Sequence, residues 1–206
     1  MRSYHDPQQP PRLNPGLQES IEMSKPNFAV AKLNHFAWRC RDAEETRAFY
    51  EDLLGLPLAH VIVDDRVPST GERQAFAHLF FRMADGSFVA FFDLGDHTAC
   101  VPDPQTPAWV NHLSLEVMSE AELSAAKARL EAKGVSVLGI TDHDWLKSIY
   151  FFDPNGLRLE LCCRAKGPSY LEACEQQAHG HLRDWQANKR SKLPSTRATA
   201  EADQGQ

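Results

Sequence analysis

The sequence predicts an α+β fold in which two βαβββ modules form a half-open, eight-stranded mixed sheet, followed by a C-terminal helix. Three observations predict it. One order of elements, a strand, a helix and three strands, occurs twice along the chain. Each copy opens on a strand with an Asn-His pair, at His35 and at His112. Each copy also closes on a hairpin whose turn contains Asp-Gly or Asn-Gly, at Gly86 and at Gly156.

The first module begins with VAKLNHFAWRC, whose alternating apolar residues predict a strand. The segment DAEETRAFYEDLLG follows, in which Asp42 is a suitable helix N-cap and Gly55 marks the helix end. Three further strands are predicted by the segments LPLAHVIV, AFAHLFFRM and SFVAFFDL.

The second module repeats this pattern after a proline-rich linker, GDHTACVPDPQTP. Its first strand is AWVNHLSLEV, its helix SEAELSAAKARLEAKG, and its last three strands lie in VSVLGIT, KSIYFFD and LRLELCC. Gly134 corresponds to Gly55 at the helix end. Two such modules side by side would give a sheet with a concave face.

The domain organisation follows from these modules. Residues 1–27 are rich in proline and polar residues, which predicts a flexible N-terminal arm. The core is predicted over 28–165, with modules at about 28–95 and 108–165. Apolar residues at spacings of three or four predict a C-terminal helix over 166–189, and the polar segment 190–206 is predicted to be a disordered tail.

The composition limits the partners and the compartment. A formal net charge of −6 with scattered basic residues argues against nucleic acid. No apolar run is long enough to cross a bilayer, and the first thirty residues lack a secretion signal. Five cysteines without a CxxC pair argue against a disulfide framework. We therefore expect a cytoplasmic protein with no membrane partner that binds a small molecule, and a homodimer is a possible assembly.

Three side chains form a predicted metal site on the concave face. His35 and His112 occupy equivalent places on the first strands of the two modules, and Glu160 lies on the last strand. Because side chains alternate along a strand, Glu160 points away from the face that carries Leu157, Leu159 and Leu161. Two imidazoles and one carboxylate suit Fe(II), and less selectively Mn(II) or Zn(II).

The strings LNHFAWRCRDAEETRAFYEDLLGLPL, VNHLSLEV and SIYFFDPNGLRLELC resemble the vicinal oxygen chelate superfamily. That superfamily includes glyoxalases, bleomycin-resistance proteins, fosfomycin-resistance transferases and extradiol dioxygenases. The resemblance covers about residues 28–165. Members with glyoxalase or epimerase activity use a fourth protein ligand, and counting from the hairpin turns places that position at Ala90, which cannot bind metal. The site therefore resembles the three-ligand dioxygenases and fosfomycin-type transferases.

The resemblance also implies two catalytic residues. Tyr150 lies six residues before the turn glycine Gly156, and Glu160 lies four after it, so the two should face each other across the hairpin. In extradiol dioxygenases a tyrosine at this spacing hydrogen-bonds the bound diol. His143 lies near the point where those enzymes have a histidine that transfers protons, although its spacing to Tyr150 is shorter than in that family. His60 and His78 were expected to face solvent rather than line the site.

Three functions follow from these residues. The leading prediction is an Fe(II)-dependent ring-cleaving dioxygenase that acts on a small catechol-like substrate with O2. The second is a Mn(II)-dependent fosfomycin-type thiol transferase, or a glyoxalase-like lyase or isomerase; the transferase would need a cationic cradle, for which Lys147, Arg158 and Arg164 are the candidates. The third is a metal-free protein that sequesters a drug.

Overall fold

The computed structural model describes residues 27–192, with side chains through residue 189. Of these, residues 34–192 belong to one compact unit. Helix α1 continues directly into a π-helical segment, and two other helices follow later in the chain. In order, the elements are β1 (His35–Cys40), α1 (Ala43–Arg47), the π-helical segment (Ala48–Leu53), β2 (Leu58–Arg66), β3 (Arg73–Arg82), β4 (Phe88–Asp93), β5 (Leu113–Glu116), α2 (Glu120–Ala132), β6 (Leu138–Asp142), β7 (Leu146–Phe152), β8 (Arg158–Arg164) and α3 (Pro168–Lys192).

The two predicted βαβββ modules are confirmed. The strand order is β1-β4-β3-β2 in the first module and β5-β8-β7-β6 in the second, so each sheet has one parallel and two antiparallel pairings. The hydrogen-bond ladders form two four-stranded sheets, which we call sheet A and sheet B. The same order in both confirms the internal repeat.

Local sequence explains where the helices begin and end. The Asp42 carboxylate accepts a hydrogen bond from the Glu45 backbone N–H at 2.8 Å, and Ser119 caps α2 in the same way through Glu122. Gly55 and Gly134 both have a φ of +79°, which the residue after a helix commonly adopts and which glycine tolerates without strain. The predicted cap at Asp42 and helix end at Gly55 are therefore confirmed.

One hydrophobic core serves both modules. One face of each sheet and the inner faces of α1, the π-helical segment and α2 form a single buried cluster. Each large side chain that is fully buried there stabilises the fold by about 1.5–3 kcal/mol relative to exposure. Its largest members are Tyr50, Phe81, Phe91, Phe151, Leu123, Leu130, Ile149 and Leu159. Cys40, Cys162 and Cys163 are also buried and unpaired.

Buried hydrogen bonds join the two modules at the turn between β7 and β8. The Tyr50 hydroxyl donates to the Asp153 carboxylate at 3.0 Å, and the Asn155 amide donates to the Thr46 hydroxyl at 3.2 Å. Asp153 also accepts from the backbone N–H groups of Asn155 and Leu157. Burial raises the pKa of Asp153 above its ordinary value despite these donors. Helix α1 and the π-helical segment therefore together fix the turn from which β8 starts.

The equivalent junction on the other side of the repeat is apolar. Leu130 corresponds to Tyr50. In both residues the backbone carbonyl oxygen accepts a hydrogen bond from the N–H of the residue that follows the helix-ending glycine. Met83 corresponds to Asp153, each lying three residues before its turn glycine. Leu130 and Met83 form no hydrogen bond to each other, and they line an apolar cavity of about 240 Å³. The buried polar contact therefore exists on one side of the repeat only.

Helix α3 is exposed along nearly its whole length. The segment just before it is tethered to the loop after β6, because Lys166 forms an ion pair with Asp144 at 3.0 Å. Leu182 and Trp185, on its apolar stripe, are 54% and 50% exposed. No helix within residues 27–192 is both long and apolar enough to cross a membrane. The predicted arm and tail lie almost entirely outside the described residues.

We predict that Tyr50→Phe lowers the free energy of unfolding by about 1–3 kcal/mol, because it leaves a buried carboxylate short of one donor. Urea unfolding at pH 7 measures this. Tyr170→Phe is the matched control, since that hydroxyl lies at the surface and makes a long contact of 3.4 Å to Asp144, so its loss should change stability by less than about 0.5 kcal/mol. Equal stability of wild type and Tyr50→Phe would contradict the role of this hydrogen bond.

Candidate functional site

The predicted ligand positions occupy equivalent places in the two sheets. His35 is the first residue of β1, and His112 directly precedes β5. The residue two positions after each histidine pairs with the last strand of its module. Ala37 pairs with Ala90 in sheet A, and Ser114 pairs with Glu160 in sheet B. Ala90 is thus the structural counterpart of Glu160, as the count from the turns predicted. Sheet A has an alanine where sheet B has a carboxylate.

Glu160 is a carboxylate on the open face of sheet B, yet only 6% exposed. One of its oxygens accepts a hydrogen bond from the Tyr150 hydroxyl at 2.9 Å, and the other lies 3.2 Å from His112 Nε2. Burial raises the pKa of Glu160. The hydroxyls of Ser148, Ser114 and Tyr150, together with His112, lower it by a larger amount, so the pKa of Glu160 is below its ordinary value. Glu160 is therefore ionised at neutral pH.

The contact between His112 and Glu160 requires a positive charge. His112 Nδ1 lies 3.0 Å from the Val110 carbonyl oxygen, which can only accept, so Nδ1 carries a proton. In neutral His112, Nε2 then presents a lone pair to an ionised carboxylate oxygen. Two acceptors at that distance repel each other unless a second proton or a metal ion lies between them.

His35 has the same arrangement of ring nitrogens. Its Nδ1 lies 2.8 Å from the Asn34 side-chain oxygen, which leaves Nε2 as the free lone pair. Histidines that bind metals usually donate the other ring N–H to a carbonyl or carboxylate oxygen, which fixes the tautomer and the ring orientation. Both predicted histidine ligands therefore carry their proton on the nitrogen that a metal would not use.

Tyr150 and His143 extend the contact at Glu160 into a chain of hydrogen bonds. Tyr150 faces Glu160 in the β7–β8 ladder, as predicted from the spacing. His143 Nε2 lies 2.7 Å from the Tyr150 hydroxyl. Because that hydroxyl already donates to Glu160, His143 must donate to Tyr150 from Nε2. Burial and the hydrogen bond to Glu160 raise the pKa of Tyr150, so its phenol stays protonated at neutral pH.

The structure brings together four of the five predicted site residues. His112, Glu160, Tyr150 and His143 form one connected group on sheet B. His35 lies on sheet A, with its ring 6.0 Å from that of His78 and 5.6 Å from that of Phe80. Within residues 27–192, no three His, Cys, Asp or Glu side chains lie close enough together to hold a metal ion.

His78 was expected to face solvent, and this expectation is wrong. It is 8% exposed. The centroid of its ring lies 4.1 Å from that of the Phe80 ring and 3.7 Å from that of the Phe92 ring. Burial and the nearby His35 and His60 lower the pKa of His78 to about 4, and its Nε2 has no hydrogen-bond partner among the described residues. Tyr150 lies six residues before the turn glycine of sheet B, and Phe80 lies six residues before that of sheet A, so Phe80 is also on the open face. His78, two residues earlier on the same strand, shares that face. His60 is exposed, as expected.

The donor chemistry fits a divalent metal. An ionised, buried carboxylate lies 3.2 Å from Nε2 of one imidazole, and a second imidazole with its Nδ1 bonded in the same way occupies the equivalent place in the other module. Oxygen and imidazole ligands of this kind suit Fe(II), Mn(II) and Zn(II). His112 and Glu160 are the pair already in contact, and His35 is the third candidate donor.

A cavity of about 330 Å³ adjoins this group on sheet B. Tyr150 belongs to both, since its hydroxyl contacts Glu160 while its ring lines the cavity. The other walls include Trp109, Leu138, Phe152 and Arg158. This size is at the lower end for small-molecule sites, and the walls are mainly apolar. The apolar cavity beside Leu130 lies elsewhere, on the core side of sheet B, where Leu115 and Leu161 line it.

Comparison with known proteins agrees with the fold. Residues 32–161 match the family model described as the glyoxalase/bleomycin resistance protein/dioxygenase superfamily. The chain belongs to this superfamily. The matched range extends from just before β1 into β8 and so includes both sheets, confirming the family resemblance seen in the sequence.

Relatives in the superfamily have different activities. The chain is 29% identical over 130 residues to a biphenyl-2,3-diol 1,2-dioxygenase of Paraburkholderia xenovorans (strain LB400), covering 62% of this chain and 39% of that protein. It thus spans about two fifths of the length of that relative. It is also 24% identical over 143 residues to glyoxylase I 4 of Arabidopsis thaliana, covering 65% and 71% of the two chains.

A solved structure agrees in fold. The glyoxylase/bleomycin resistance protein/dioxygenase domain from Frankia sp. EAN1pec is similar with a TM-score of 0.55 at 16% identity, over 66% of this chain and 99% of that one. At this identity the similarity concerns the arrangement of strands and helices alone.

Proposed function

We propose that this protein is an Fe(II)-dependent ring-cleaving dioxygenase that acts on a small catechol-like diol. His35, His112 and Glu160 would hold the metal. The observation that carries the proposal is the contact of 3.2 Å between His112 Nε2 and the ionised Glu160, which a metal ion bound to both groups would stabilise. The similarity to a biphenyl-2,3-diol dioxygenase supports the reaction class.

The bound metal would supply a Lewis-acid centre with positions open to the two vicinal oxygens of the diol and to O2. Fe(II) is the metal commonly found with two histidines and one carboxylate in enzymes that use oxygen. Mn(II) and Zn(II) suit the same donors less selectively.

The residues around the metal position would handle protons. Tyr150 is a neutral phenol that donates to Glu160, and His143 donates to Tyr150 from Nε2. His143 is exposed, so this chain leads from the buried carboxylate to solvent. Because its hydrogens point toward Glu160, this path would deliver a proton inward. Tyr150 would give its hydroxyl proton to Glu160 or to a substrate oxygen and take the Nε2 proton of His143 in its place, while the exposed His143 takes a proton from solvent at Nδ1. We propose His143 and Tyr150 as the catalytic residues and add His78, beside His35, as a second imidazole at the site.

The charges near β8 favour the dioxygenase over a phosphonate-using transferase. Lys147 is paired with Glu120 at 2.7 Å, and Arg164 is paired with Glu116 at 2.9 Å. Of the three cations considered for a cradle, only Arg158 faces the site without a carboxylate partner among the described residues. One guanidinium is a weak match for a doubly charged phosphonate.

We predict that His112→Ala and Glu160→Gln each weaken Fe(II) binding at least 100-fold, because each removes a proposed donor. His143→Ala should retain the metal within about tenfold and lower kcat about 10²–10⁴-fold. Anaerobic titration calorimetry and metal analysis give the binding values. His179→Ala is the control, since His179 is exposed on helix α3, outside both sheets. Equal loss of metal in His112→Ala and His143→Ala would remove the distinction between ligand and proton carrier.

Oxygen uptake tests the reaction directly. Protein reconstituted anaerobically with Fe(II) should consume one O2 per diol from a panel of catechols and give the yellow absorbance of a ring-opened product. His112→Ala should show no uptake with the same panel. If Fe(II) binds in the wild type and no diol supports oxygen consumption, the dioxygenase proposal is wrong, and transferase or isomerase assays with Mn(II) take its place.

A further inference from the structure

Arg158 lies where it could contact a substrate that occupies the cavity beside Tyr150. It is the first residue of β8, two residues before Glu160, and so shares the open face of the strand with that carboxylate. The centre of its guanidinium lies 4.5 Å from the centroid of the Tyr150 ring. Stacking on an aromatic ring holds an arginine in place while leaving its N–H donors at the ring edge available.

The hydrogen-bonding capacity of Arg158 is largely unused. Its only hydrogen bond within the described part of the chain is a long one of 3.5 Å to the Ala108 carbonyl oxygen. No carboxylate lies within 4 Å of it among those residues, whereas Arg39, Arg41, Arg47 and Arg164 each form an ion pair. A half-buried guanidinium with five donors and no anion is suited to bind a planar anionic group.

The rest of the cavity is suited to a flat apolar body. Trp109, Leu138 and Phe152 line it together with the Tyr150 ring. The volume of about 330 Å³ admits one aromatic ring with a short substituent rather than a large ligand. The Tyr150 hydroxyl joins this cavity to Glu160, so a ligand could extend from Arg158 toward the metal position.

We propose that Arg158 determines substrate specificity by binding a carboxylate, so that the preferred substrate is a monocyclic aromatic diol that bears a carboxylate group. This inference rests on the function proposed above and names its substrate class. One guanidinium balances the single charge of a carboxylate and forms two parallel hydrogen bonds with it. The aromatic walls contact the ring, and the diol oxygens lie toward His112 and Glu160.

Anaerobic calorimetry on the full-length protein tests the inference with two probes, 3,4-dihydroxybenzoate and catechol. The wild type should bind the carboxylated diol at least tenfold more tightly. Arg158→Gln should reduce this preference about 10–100-fold, the range expected for a charge-assisted bidentate contact at a half-buried site. Arg158→Lys, which keeps the charge and loses the planar fork, should restore part of the preference.

Arg164→Gln is the matched control, because Arg164 lies on the same face of β8 and is already paired with Glu116. It should leave the preference between the two probes intact. Equal affinity of the wild type for both probes would overturn the inference. An equal loss for both probes in Arg158→Gln would also overturn it, since the arginine would then only support Tyr150.

The outcome for the substrate class is separable from that for the reaction. If no diol supports oxygen uptake but benzoate still binds in an Arg158-dependent way, the carboxylate site stands and the dioxygenase proposal falls. If oxygen uptake occurs and carboxylated diols have no advantage, the reverse holds. Tighter binding of phenylphosphonate than of benzoate would contradict the assignment of a carboxylate as the preferred anion.

Discussion

The candidate site depends on the buried hydrogen bonds that join helix α1 and the π-helical segment to the β7–β8 turn. Tyr50 and Thr46 of the first module hold Asp153 and Asn155 of the second in a fully buried junction. Strand β8 begins two residues after Gly156, the glycine of that turn, and carries Arg158 and Glu160 on its open face. The position of the Glu160 carboxylate is therefore set by a contact on the other side of the sheet, in the core.

The two faces of sheet B illustrate how one strand serves both stability and chemistry. Leu159 and Leu161 pack into the shared core, while Glu160 between them lies among polar partners. Glu160 is nearly as buried as the leucines, and a buried carboxylate is costly unless it is hydrogen-bonded or paired. Tyr150 supplies one hydrogen bond, and the contact with His112 needs either a second proton on the imidazole or a metal ion between the two groups. The proposed metal would satisfy this contact.

Much of this arrangement follows from the sequence alone. The period of two along LRLELCC separates Glu160 from its neighbouring leucines, and the distances from the turn glycines pair Tyr150 with Glu160 and identify Ala90 as the counterpart of Glu160. His78 could not be placed as easily, because strand parity gives the face but not the burial, which depends on Phe80 and Phe92 packing around it. The stacking of Arg158 on Tyr150 likewise depends on cross-strand geometry rather than on spacing.

The central claim is that His35, His112 and Glu160 hold one metal ion, and crystals grown anaerobically with Fe(II) test it most directly. An anomalous difference map at the iron edge should show one peak per chain, within about 2.0–2.3 Å of an imidazole nitrogen of each histidine and of a Glu160 oxygen. A peak bound by His112 and Glu160 without His35, or no peak at either residue, would contradict the account.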